Sequence, residues 1–242
     1  MQIRLDVIKA KSAIFYVAAM IVSIGNWNDT EAVLINAYQR VVANWTNTNE
    51  YALINRISVG HSYEYVLSSI GLPQAVKTSR IDPDLHFGYF NFDKFLLSIS
   101  HKNNRITGYA IQALNTEFKA DIPYIEGALF TQSNNEMIEY PDDYFFESGN
   151  VEYYLDAVEM GRNALFQQVL VGQYNYIPEH QLSPEKIVSL DRGYVLNQKE
   201  NTQSLKNDLR QQLANTFIVF ENDVDEALDM MLTRYEYAMY FL

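Results

Sequence analysis

Apolar residues recur along this chain with two spacings, and the change from one to the other outlines its elements. Ala13 to Gly25 is a run of thirteen residues without a charge, preceded by Arg4, Lys9 and Lys11 and followed by Asp29 and Glu31. Beyond it, Val33, Leu34, Ala37, Tyr38, Val41, Val42 and Trp45 return at helical spacing, with Asp29 or Thr30 suited to the cap and Glu31 to the first turn. The polar run Thr46 to Glu50 reads as a loop. A two-turn helix follows. Ser62 is its N-cap, Glu64 an acid near its start, and Tyr63, Val66, Leu67 and Ile70 its apolar face. Gly71 suits the left-handed position that ends a helix, and Pro73 prevents continuation.

The period then shortens to two. Gln74 to Thr78, His86 to Phe92, Phe95 to Ser100 and Ile106 to Leu114 read as strands, with Phe95, Leu97 and Ile99 on one face. Asp93-Lys94 and Asn103-Asn104 are the turns between them, since Asn tolerates positive φ. Asn134 to Asp143 is turn-rich. Val151 to Met160 and Ala164 to Tyr176 form a hairpin around Gly161-Arg162-Asn163. Asn201 to Gln212 reads as a polar helix and Thr216 to Phe220 as a short strand. Asp223 to Leu242 reads as one terminal helix striped by Val224, Leu228, Met231, Leu232, Tyr235 and Met239. The expected class is α+β: N-terminal helices, a short helix with an antiparallel meander, a second hairpin-rich sheet region and a C-terminal helix. Three segments are expected, 1–50, 51–120 and 121–242, the last open to a reading as a degenerate repeat of the second.

The charge-free N-terminal run fits three structures. An uncleaved membrane anchor would use Ala13, Ile14, Phe15, Val17, Ile21 and Ile24, with Ile8, Ala10 and Trp27 extending it and the lysines reaching back to the surface. A cleaved signal peptide has the same layout, and a buried core helix is the third reading. We take the single-pass anchor as the expectation. Its charge asymmetry then leaves the N-terminus in the cytoplasm and the remaining chain across a bacterial inner membrane.

Composition narrows the function classes. A formal charge of −12 argues against nucleic acid, which needs clustered cations. The absence of cysteine excludes disulfides, thiolate zinc sites and thiol catalysis. The 18 tyrosines suit both antiparallel strands and a binding surface.

Gly60, Val66, Ile70, Gly71 and Pro73, read with the meander behind them, carry a resemblance. A glycine, a short helix and an apolar-Gly-x-Pro end before a meander resemble the BamE/SmpA-like and beta-lactamase-inhibitor-protein-like (BLIP-like) folds. The chain is also similar to a group of uncharacterised bacterial membrane-anchored proteins that carry this unit after an N-terminal helix. The resemblance implies protein binding or envelope assembly rather than catalysis. It gives Gly60, Ser62, Val66, Ile70, Gly71 and Pro73 structural roles as caps and core.

Candidate chemistry is sparse. His61, His86, His101 and His180 show no metal-ligand spacing. Glu221, Asp223, Asp225, Glu226 and Asp229 are dense enough to suggest calcium, but Leu228 stands where a calcium loop needs glycine. Acids are in any case favoured at a helix start. Ser62 beside His61 and Ser100 beside His101 are sequence neighbours, whereas a triad is assembled in space. Asp142 and Asp143 are what any acidic loop supplies. No phosphate loop or GxSxG elbow occurs. No cofactor or metal is expected. The first functional expectation is a membrane-tethered, non-catalytic module that binds another protein. The alternatives are a hydrolase whose site is built from distant residues around His86 or His101, and a structural subunit of a membrane-associated homo-oligomer.

Overall fold

The computed structural model describes residues 48–160, 167–174, 184–221 and 223–242. The chain divides into two compact units, 1–52 and 53–242. The run Ala13 to Gly25, the helix expected over Val33 to Trp45, the turn Gly161-Arg162-Asn163 and His180 lie outside the described residues. Among the described residues no helix is long and apolar enough to cross a membrane.

The protein is α+β. Helix α1 is Thr48–Ile54 and α2 is Tyr63–Ile70. The first thus occupies part of the stretch expected as a loop, Thr46 to Glu50. Glu50 sits in its first turn, where an acid is favoured, and Ile54 at its end is buried. The chain then makes β1 (Ala75–Thr78), β2 (His86–Asn91), β3 (Phe95–Lys102) and β4 (Arg105–Ala113). After α3 (Asn134–Met137) come β5 (Asp143–Ser148), β6 (Glu152–Glu159) and β7 (Gln168–Tyr174). Helices α4 (Pro184–Val195) and α5 (Lys199–Arg210) form a hairpin, and β8 (Thr216–Phe220), α6 (Val224–Asp229) and α7 (Arg234–Phe241) follow.

The eight strands form one antiparallel sheet in the order β1-β2-β3-β4-β8-β7-β6-β5. Two four-stranded groups, β1 to β4 and β5 to β8, therefore meet where β8 pairs with β4. A serine-capped helix precedes each group: Ser62 accepts from Tyr65 N–H, and Ser133 forms a capping box with Glu136.

Both faces of the sheet are covered. Phe87, Tyr89, Ile218, Phe220, Leu155 and Tyr174 pack on one side against Met230, Met231, Leu232 and Tyr237 from the C-terminal segment. On the other side Tyr154 packs with Ile187, Leu190 and Leu209 of the α4–α5 hairpin. Tyr63 of α2 lies on that same side, over Gly88, where a Cβ would run into its hydroxyl.

The terminal helix expected over Asp223 to Leu242 is broken in two. Carbonyls between the pieces serve the sheet: Met230 O accepts from the Tyr89 hydroxyl at 2.9 Å, and Leu232 O accepts from the Tyr174 hydroxyl. Thr233 then starts α7 with its own capping box to Glu236. The break splits the expected stripe. Met231 and Leu232 are buried, whereas Tyr235 and Met239 are exposed.

Asp229 ties this segment to the edge strand β1. Its buried carboxylate accepts from Ser79 Oγ at 2.8 Å, Arg80 N at 2.8 Å and Arg80 Nε at 2.7 Å. Burial pushes its pKa up, but the bonds from Arg80 and Ser79 and the charge of Lys77 outweigh that and hold it below the ordinary 3.8. A carboxyl depressed in the fold contributes stability that is fully present above its unfolded value and lost as pH falls through the folded one. Asp229→Asn should therefore cost about 1–3 kcal/mol at neutral pH, as expected when a buried group loses charged hydrogen bonds. Denaturant titrations should also show a shallower loss of stability below about pH 4 in the variant than in the wild type. Equal acid limbs in the two proteins would remove Asp229 as the cause.

Candidate functional site

The residues singled out in the sequence fall in three places. Gly60 and Gly71 both take positive φ, 91° and 90°, a region that favours glycine. Gly71 N–H closes α2 onto Leu67 O at 2.8 Å. Gly60 N–H donates to Ile106 O at 2.8 Å, and Tyr63 N–H to Asn104 O at 2.9 Å, so the segment before α2 is stitched to the start of β4. Val66 is buried, Ile70 and Pro73 half-buried. These residues set α2 on the sheet.

Strand register brings two histidines together that the sequence holds apart. His86 and His101 are cross-strand partners with ring centroids 5.7 Å apart. The His101 ring stacks on Tyr63 at 3.7 Å, and Nδ1 of His86 lies 3.2 Å from the Thr78 hydroxyl. Among the described residues no hydrogen bond joins either ring to a carboxylate. His61 lies apart, with its Nδ1 3.2 Å from Arg56 O.

The acidic cluster is dispersed into structural tasks. Glu221 pairs with Arg105, Asp223 caps α6 by accepting from Asp225 N–H, and Asp229 is the buried tie to β1. A cleft of about 620 Å³ lies beside it, lined by Asp82, Lys102, Arg105, Glu221 and neighbours. Its cations are already satisfied, Lys102 by Asp82 at 2.6 Å and Arg105 by Glu221.

The opposite end of the sheet differs. β5 pairs with β6 on one side and with no described strand on the other. Tyr144, Phe145 and Phe146 stand consecutively on it, each half-buried, and Asp143 and Glu147 are exposed. Tyr144 and Phe146 project to the face that carries α4 and α5. There Phe146 meets Tyr194 edge-on at 6.0 Å, and Tyr144 stacks near Tyr154 at 6.1 Å. A cleft of about 550 Å³ opens beside them, lined by Tyr144, Tyr194, Lys199, Thr202, Gln203 and Lys206 among others.

The position of Lys206 follows from a buried polar network. Asp156, fully buried on β6, accepts from the Tyr154 hydroxyl at 3.0 Å, Asn134 Nδ2 at 3.2 Å and Arg210 Nε at 3.0 Å. Arg210 also donates to the Ile138 carbonyl. Lys206 is four residues earlier on α5 and so shares the helix face of Arg210. Tyr144 is the cross-strand partner of Asp156. With Arg210 locked on Asp156, Lys206 Nζ comes to 3.7 Å from the centroid of the Tyr144 ring. Burial lowers the Lys206 pKa more than the nearby Asp156 charge raises it. Among the described residues no carboxylate forms an ion pair with Lys206 or Lys199. From the sequence, Asn201 to Gln212 reads only as a polar helix. The available signal was the Lys206/Arg210 pair of cations at helical spacing.

The histidine pair has a measurable consequence. Burial and the neighbouring His86 pull His101 from 6.5 down to about 4. The unfolded chain then takes up the proton first as pH falls, so stability is lost between those two values and no further below them. His101→Phe, which keeps a ring against Tyr63, should flatten the fall in denaturation midpoint over that window. Parallel curves for variant and wild type would assign the fall to another group.

No protein-family model and no curated protein matches this chain. Among solved structures, a cysteine-rich secretory protein from Staphylococcus aureus subsp. aureus Mu50 is similar with a TM-score of 0.38 at 11% identity, over 69% of this chain and 44% of that one. The match thus spans less than half the length of that protein.

Proposed function

We propose that the chain is a non-catalytic protein-interaction module held at a bacterial inner membrane by a single N-terminal span, with residues 53–242 as the binding part on the extracytoplasmic side. The observation that carries the binding half is strand β5, an edge with one side to which no described strand pairs and three half-buried aromatics in sequence. Such an edge offers backbone donors and acceptors together with apolar surface, the combination used in strand addition. The membrane half rests on the charge-free run Ala13 to Gly25 behind Arg4, Lys9 and Lys11. The resemblance of the α2 unit to BamE/SmpA-like and BLIP-like folds, whose members bind proteins or support envelope assembly, supports the same reading. Among the described residues His86 and His101 contact Thr78, Tyr63 and each other, and the nearby Asp82, whose charge interacts with His86, is held by Lys102 rather than hydrogen-bonded to an imidazole.

Two measurements test the two halves. The intact protein should sediment with membranes and resist carbonate extraction, and its recovery in the soluble fraction would remove the tether. A photoreactive phenylalanine analogue at Phe145 should give a discrete crosslink to a second polypeptide in cells, and the same analogue at Val76 on the opposite edge should not. Absence of an adduct from Phe145 and from Glu147 alike would remove the binding role of β5.

A further inference from the structure

The two edges of the sheet are built differently, and the difference indicates what one of them takes. Edge strand β1 spans four residues. It carries Lys77, whose ammonium donates to Asp229 O at 3.3 Å and pairs with Glu236 at 3.2 Å. Shortness and an edge lysine are common ways to block pairing with another chain. β5 spans six residues with neither proline, glycine nor lysine. Its charges, Asp143 and Glu147, lie on one face, and Tyr144 and Phe146 on the other, beside the cleft with Lys206 and Lys199.

This arrangement selects against a second copy of the same chain. Two β5 strands paired edge to edge would bring four carboxylates together between molecules of formal charge −12 each. It selects for a segment of opposite pattern. In an extended chain successive side chains point to opposite faces. A segment laid along β5 would therefore present one phase of residues to Asp143 and Glu147 and the other phase to the Lys206 cleft. With 18 cationic side chains against 30 acidic ones in the full sequence, Lys206 is half-buried and forms no ion pair among the described residues, although the charges of Asp156 and Asp143 reach it. Its ammonium rests on the π-face of Tyr144, which leaves its donors open to a carboxylate.

We propose that β5 accepts an extended segment of another polypeptide as a ninth strand, with an acidic side chain of that segment seated against Lys206 and Tyr144. This rests on the reading of β5 as a binding edge and adds the chemistry of the partner. Backbone pairing supplies affinity that does not depend on sequence. The carboxylate at the Lys206 cleft fixes register and direction, and cationic or neutral residues of the opposite phase meet Asp143 and Glu147.

The test is selection of a phage-displayed library of random twelve-residue peptides on the full-length protein in detergent micelles. Selected peptides should lack proline in their centre and carry acidic residues in a single alternating phase. A fluorescein-labelled synthetic copy of the commonest one should lose about tenfold or more in affinity for Lys206→Met, as expected when a buried charge pair loses one partner. Lys206→Arg should retain most of the binding. N-methylation of alternate amides in the peptide should abolish it. A thermal melt of each variant separates lost binding from lost fold. Selected peptides without acidic residues, or equal affinity for Lys206→Met and wild type, would overturn the assignment of the cleft. A crosslink from Phe145 to a cellular partner that persists unchanged in Lys206→Met would leave the binding edge standing and remove the acidic segment. Loss of that crosslink at Phe145 in the wild type would remove both.

Discussion

Strand β8 is where the two halves of the sheet become one. Its five residues, Thr216 to Phe220, are all buried and pair with β4 on one side and β7 on the other. Phe217 and Val219 enter one core, Ile218 and Phe220 the other. Each of these side chains contributes about 1.5–3 kcal/mol by burial. The larger consequence is in the backbone. Without β8 both β4 and β7 would carry an open row of donors and acceptors in the middle of an apolar surface. The pairing is also distant in sequence, since Gly108 meets Phe220. Closing so long a loop has an entropic cost, which the burial of β8 and its pairing on both sides offset. The central strand thus joins segments that lie far apart in the chain.

An acidic chain must also decide which acids it can bury. Among the described residues two are buried, one on each face of the sheet. Asp229 holds the C-terminal segment to β1 and Asp156 holds α5 to β6. Each is matched by an arginine and by neutral donors, which offset the cost of burying the charge. The scarce cations are spent on such tasks: Arg80, Arg210, Arg105 and Lys102 all meet carboxylates. Lys206 differs because Arg210, one turn further along the same helix, already satisfies Asp156. What remains for Lys206 is the ring of the neighbouring strand.

Whether a feature arises locally or from distant partners decides how much of it the amino-acid pattern reveals. The caps at Ser62 and Gly71, the strands from β1 to β4 and the strand Thr216 to Phe220 are written in local chemistry, and the structure has them within a few residues. The pattern cannot place Thr216 to Phe220 at the centre, because a strand buried on both faces shows no alternation from which to read its neighbours. The break in the terminal helix is hidden for a related reason. Met230 and Leu232 carbonyls are claimed by tyrosines of β2 and β7, and nothing near residue 230 announces them. The pairing of His86 with His101 and the meeting of Lys206 with Tyr144 likewise depend on register. The candidate site was thus illegible from spacing alone, although the residues that form it are conspicuous once β5 is an edge.

The asymmetry of the two edges follows from the same economy. β1 is closed by chemistry close at hand: the helices that cover one face of the sheet end beside it, and Lys77 can reach Asp229 and Glu236 there. On β5 no lysine plays that part, although Phe145 packs with the core that the C-terminal segment closes. The α4–α5 hairpin crosses its inner face, and Ser148 and Phe146 hold α4 through Asp191 and Tyr194, but among the described residues no strand pairs with its outer side. A sheet protected at both ends would need another lysine or a proline on β5. In its place stand three aromatic residues, the side chains that gain most from a second surface. That choice carries an aggregation hazard unless something limits which strands can add, and Asp143, Glu147 and the overall negative charge supply the limit by repelling copies of the chain itself.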